Sequence, residues 1–100
     1  MASWRVARVS EIPDNAGREF LVGRSAITVW RVKGRFYATA ARCPHEDAPL
    51  CAGHLEGGII TCPMHAWQFD VATGRGVAPP HASLPCYKVV VEGDEVFVEL

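Results

Sequence analysis

One hundred residues with a net charge of −1, of which 49 % are hydrophobic and 21 % charged, read as one soluble globular domain and leave no room for two. The near-neutral balance gives no electrostatic reason to bind nucleic acid or an anionic membrane surface, and no apolar run approaches the ~20 residues of a membrane span. No signal peptide precedes Trp4, so the expectation is a cytosolic protein, where a reducing milieu disfavours disulfides among its four cysteines.

Residues 4–9 alternate loosely between apolar and polar, as a half-buried strand does. Residues 12–17 gather several breakers and predict a turn. A short strand over 19–22 follows, then a tight connection at Gly23-Arg24-Ser25 and a strand over 26–32 rich in β-branched and aromatic side chains. Lys33-Gly34 predicts a hairpin into 35–39. This half of the chain is expected to be a β-meander, since no window in it sustains a helical period.

After Ala40 the texture changes. Between Arg42 and Pro80, Pro, Gly, His and Cys punctuate short apolar pieces, and residues 70–74 read as a turn with Gly74 free to take a positive φ. A loop-rich stretch of this length is unusual in a compact domain unless something besides a hydrophobic core fixes it. Beyond Leu84, residues 87–92 and 95–100 are two strands joined by Gly93-Asp94, a hairpin signal. The expected architecture is therefore all-β: a small antiparallel sandwich or barrel, residues 1–100 as a single domain, with a loop-rich ligand-bearing subdomain inserted at about 41–80.

The middle stretch carries Cys43-Pro44-His45 and Cys62-Pro63-Met64-His65, a C-x-H half and a C-x-x-H half. Two thiolates and two imidazoles at one point are metal-ligand chemistry. Cys51 and Cys86 lack a nearby histidine and read as free thiols, filling space or lying near the surface; His54 and His81 lack a nearby cysteine and read as surface or loop residues. Two metals compete for Cys43, His45, Cys62 and His65. A structural zinc site would be tetrahedral, but usually groups like ligands together as C-x₂₋₄-C with H-x₃₋₅-H. A Rieske-type [2Fe-2S] centre needs two Cys on one iron and two His on the other, and two mixed halves approaching from opposite sides suit it.

Cys43-Pro44-His45 and Cys62-Pro63-Met64-His65, with Phe69-Asp70 and Thr73-Gly74 behind them, closely resemble the Rieske iron–sulfur family. Residues 34–38 before the first loop and 84–98 after the second resemble the flanks of small Rieske ferredoxins. The resemblance implies one Rieske-type [2Fe-2S] cluster. It places Cys43 and Cys62 as thiolates on the inner, permanently ferric iron, and His45 and His65 on the outer iron that receives the electron. It also implies backbone N–H donors to the cluster sulfurs around residues 46–48 and 64–67, and imidazoles exposed enough that the potential falls as pH rises past their pKa values.

Departures from one branch of the family narrow the reading. Rieske proteins of the respiratory and photosynthetic cytochrome complexes resemble patterns with an extra Cys pair and with Ser and Tyr hydroxyls that donate to the cluster; the corresponding residues here are Ala48, Met64, Trp67 and Phe69. Without those donors the reduced cluster is less stabilised, which implies a potential near the lower end of the roughly −150 to +300 mV range of Rieske centres. That pattern resembles the soluble ferredoxins of bacterial aromatic-ring oxygenase systems. They carry electrons from an NAD(P)H-oxidising flavin reductase to a terminal oxygenase, and the length leaves no room for an oxygenase's own catalytic domain. The resulting expectation is a monomeric electron carrier, not an enzyme, with no catalytic residues. Two rivals remain: the small subunit of an assimilatory nitrite reductase, and a zinc-stabilised interaction module. Glu46 and Asp47 could offer an acidic docking edge, Trp67 is expected to pack between the loops, and Pro79-Pro80 to form a third loop over the cluster.

Overall fold

The computed structural model describes residues 3–44, 48–64 and 66–100. Its strands are β1 (Ser3–Arg8), β2 (Ala16–Val22), β3 (Ser25–Val32), β4 (Arg35–Ala40), β5 (His54–Glu56), β6 (Ile59–Thr61), β7 (Gln68–Asp70), β8 (Gly76–Ala78), β9 (Cys86–Glu92) and β10 (Glu95–Glu99). They form two antiparallel sheets: a six-stranded one ordered β1-β10-β9-β4-β3-β2, and a four-stranded one in chain order, β5 to β8. The all-β expectation holds, with short 3-10 turns at Val9–Glu11 and Leu50–Ala52 as the only helical pieces among the described residues.

Local chemistry explains the hairpins. Lys33 (φ 51°) and Gly34 (φ 79°) both take the left-handed conformation that matches a two-residue turn to the strand twist. Gly93 (φ 62°) opens the turn between β9 and β10 in the same way. Asn15 is also left-handed (φ 57°), and its amide donates to the Arg31 carbonyl at 2.7 Å. The ladder between β2 and β3 therefore starts at Ala16, three residues before the strand expected from Glu19.

The expected meander is correct only for β2, β3 and β4. β1 lies at the opposite edge, where it pairs with β10 at the far end of the chain, Trp4 opposite Val98. Alternation reveals a strand's two faces but carries no information about a partner so distant in sequence. The middle of the chain is also more regular than expected. Its loops alternate with four three-residue strands, each too short to show a period in sequence.

Two cores result. Alternation along β3 sends Ile27 and Val29 into one, with Ala38, Val96 and Val98, inside the six-stranded sheet. Trp30 points the other way, into a second core that joins the two sheets and contains Leu50, Leu55, Ile60, Phe69, Val71 and Leu84. Its buried indole N–H donates to Thr39 Oγ1 at 2.9 Å, and that hydroxyl donates to the Ala40 carbonyl at 2.9 Å, so the polar atom is satisfied inside the sheet.

Candidate metal centre

Cys43 follows the end of β4 and Cys62 follows β6, and the chain turns back after each in the same way. The Cys43 amide donates to the Ala48 carbonyl at 2.9 Å, and the Cys62 amide donates to the Trp67 carbonyl at 2.7 Å, each bond spanning five residues. One residue further out, Arg42 bridges Pro49 and Thr61 pairs with Gln68. Each cysteine thus begins a loop closed at its neck by an antiparallel pairing.

The necks are braced differently. Around the first, the Ala41 amide donates to the Ala26 carbonyl at 3.1 Å and the Leu50 amide to the Ala41 carbonyl at 2.9 Å, while Arg42 Nη2 stands 3.3 Å from Glu19 Oε2 on β2. At the second, Gln68 Nε2 donates to Thr61 Oγ1 at 3.2 Å. Gly53 couples the two necks. It lies so close to the Thr61 carbonyl that any Cβ would collide with it, a contact only glycine allows.

Both cysteines are buried, Cys43 to 1 % and Cys62 to 2 % relative exposure, and both belong to the core that joins the sheets. The same core contains Ala48, Phe69, Leu50 and Trp30. The residues that correspond to the extra cysteine and the tyrosine of the cytochrome-complex branch are therefore a methyl group and a phenyl ring in this core, with no hydroxyl to offer. Two thiols brought into one apolar core, one from each of two like-built loops, fit the thiolate half of an iron–sulfur cluster. His45 and His65 lie outside the described residues, as do Glu46 and Asp47 with their acidic edge. Among the described residues no group of three metal-binding side chains assembles, because the structure describes only the two cysteines of the four expected ligands.

Trp67 is half-buried against this core, with its ring 6.4 Å from Phe69 and edge-on to His81 at 6.3 Å. His81 lies in the third loop, which is closed by the Gly76 amide donating to the Ala82 carbonyl at 2.9 Å. The third loop therefore rests on the second through an aromatic contact. Met64 beside it is 49 % exposed. Cys51 and Cys86 are free thiols on largely exposed residues, and His54 is exposed beside Glu56, so none of the three joins the two buried cysteines. The Cys86 sulfur is nonetheless tucked against the Gly74 backbone and 3.7 Å from the Leu84 carbonyl; burial, then the Asp70 carboxylate, push its thiol pKa up. Sequence reasoning missed both necks and the Glu19–Arg42 pair. The signal available for the necks was the shared Cys-Pro start of both loops.

A pair of like-built loops on a β scaffold thus buries one cysteine each. The chain belongs to the Rieske [2Fe-2S] domain family, which it matches over residues 3–88, and its cofactor is a Rieske [2Fe-2S] cluster. It is similar to the ferredoxin component of an alkene monooxygenase system from Xanthobacter autotrophicus, 35 % identical over 94 residues, covering 93 % of this chain and 77 % of that protein. The ferredoxin of carbazole 1,9a-dioxygenase from Nocardioides aromaticivorans superposes with a TM-score of 0.89 at 33 % identity, over 98 % of this chain and 97 % of that one. A ferredoxin solved in complex with the oxygenase of carbazole 1,9a-dioxygenase gives 0.88 at 35 % identity, over 96 % and 91 %. Two structures described as nitrite reductase small subunits reach 0.87, but at 14 % and 19 % identity, which shows a shared fold alone.

Proposed function

We propose that this chain is a one-electron carrier of an oxygenase system, taking electrons from an NAD(P)H-dependent flavin reductase and delivering them to a terminal oxygenase. The observation that carries the reading is the burial of Cys43 and Cys62 in one apolar core by two loops of the same build. Its support among relatives is that they are named ferredoxin components of monooxygenase and dioxygenase systems, one of them captured in complex with its oxygenase. The nitrite reductase reading has only the shared fold behind it.

In this reading Cys43 and Cys62 hold one iron, His45 and His65 the other, and the bound cluster supplies reversible one-electron chemistry. The chain's own part is to bury both thiols in an apolar core and to put Trp67 and Phe69, which carry no hydroxyl, where the cytochrome-complex branch has its hydroxyl donors, which favours a low potential. Residues 1–100 act as one monomeric domain whose cluster-bearing part runs from about 41 to 80, the stretch that contains the four-stranded sheet. No helix among the described residues is long and apolar enough to cross a membrane, which is compatible with a carrier that diffuses between cytoplasmic partners.

Reconstitution tests the reading. With NAD(P)H, a flavin reductase and a terminal oxygenase of the aromatic-ring type, product formation should rise with added holoprotein and be absent without it. Equal turnover with and without this chain, across reductase–oxygenase pairs from the same genome, would contradict it.

A further inference from the structure

Arg42 immediately precedes Cys43, and two backbone hydrogen bonds at Ala41, with the bridge to Pro49, fix its position at the neck of the first loop. Among the described residues of 41–53 and 60–69, which form the two loops and their necks, it carries the sole formal charge. Its guanidinium is held by Glu19 of β2 at 3.3 Å, and both side chains are partly exposed, 43 % and 29 %. A pair so exposed does little for stability. Its position gives it another consequence.

We propose that the Glu19–Arg42 ion pair sets the local charge at the Cys43 side of the centre, so that its two members tune the midpoint potential in opposite directions. The inference rests on the reading above that Cys43 is a cluster ligand. Reduction brings one electron, from dithionite or the reductase, and hence one negative charge to the centre. The Arg42 cation favours that charge and the Glu19 carboxylate opposes it. Paired, they nearly cancel; unpaired, each acts with its own sign. Glu19 is therefore a positioning and compensating residue reaching in from the larger sheet.

The test is a set of variants measured as holoproteins by potentiometric titration at low and high salt, with iron, sulfide and thermal unfolding recorded for each. Glu19→Gln should raise the midpoint potential, Arg42→Gln should lower it, and Arg42→Lys should stay near the parent. The two shifts should shrink at about 1 M salt, where the screening length falls to roughly 3 Å. A merely structural pair would instead give shifts of the same sign, or cluster loss from both Gln variants, and either result overturns the proposal. So do unchanged potentials in variants with parental iron and sulfide. Failure of the parent chain itself to assemble a cluster is a separate result and would overturn the ligand assignment on which the proposal rests.

Discussion

Cys43 and Cys62 hold the same place in two loops of one design, each amide donating to a carbonyl five residues on, Ala48 in one case and Trp67 in the other. The likeness stops at the histidines, which stand two residues after Cys43 but three after Cys62. Equal necks therefore enclose loops whose histidines sit at different distances along the sequence.

Cys43→Ser or Cys62→Ser should abolish cluster assembly, as should His45→Ala and His65→Ala, while Cys51→Ser and Cys86→Ser keep parental iron and sulfide. Iron and acid-labile sulfide per chain decide this. Retention of the cluster in Cys43→Ser would show that one of the exposed cysteines can replace it.

Thr39→Val should destabilise the fold by about 1–3 kcal/mol, because the Trp30 indole N–H stays buried and loses its acceptor. Thr39→Ser keeps the hydroxyl and should recover most of the loss. Urea unfolding of the three proteins checks the order; a Thr39→Val variant as stable as the parent would show that the indole finds another partner.

Gly53→Ala drives a methyl group into the Thr61 carbonyl, one residue before Cys62, and should cost about 1–3 kcal/mol. It should also hasten cluster loss to a chelator, since the two necks are forced apart. Gly74→Ala combines a φ of 76° with a collision against the Leu84 carbonyl, so it should be worse than Gly34→Ala, whose φ of 79° is met by open space. Equal melting temperatures for the last two would contradict the packing at Gly74.

Cys86 has a pH signature. Burial first, and the Asp70 carboxylate second, raise its thiol pKa above the ordinary 9.0. The folded chain then holds that proton more tightly than the unfolded one. Its stabilising contribution is complete below the unfolded value and is lost as pH rises from about 9 through the higher folded value. In a Cys51→Ser background, the alkylation rate of Cys86 against pH should give an apparent pKa above 9.0, and Asp70→Asn should lower it part of the way. A value at or below 9.0 would contradict the tucked sulfur.

Much of the fold was legible because the longer strands carry their own signals. The β-branched run of β3 and the turns at Lys33-Gly34 and Gly93-Asp94 lie where the sequence places them. The partner of β1 was not legible, since its pairing with β10 joins the two ends of the chain. The small sheet was hidden because three residues cannot display an alternation. At the site, residue type and spacing marked Cys43 and Cys62. They could not show that Gly53 presses on Thr61, or that Glu19 reaches Arg42 across 23 residues of sequence. Such contacts exist only once the sheets are folded.

The central claim is that the two loops hold a redox-active iron–sulfur cluster and not a structural metal. Electron paramagnetic resonance of the dithionite-reduced protein, with metal analysis of the same sample, tests it most directly. The protein should be brown, with two iron and two acid-labile sulfide per chain and a Rieske-type signal on one-electron reduction. A colourless protein with one zinc per chain and no signal would contradict it.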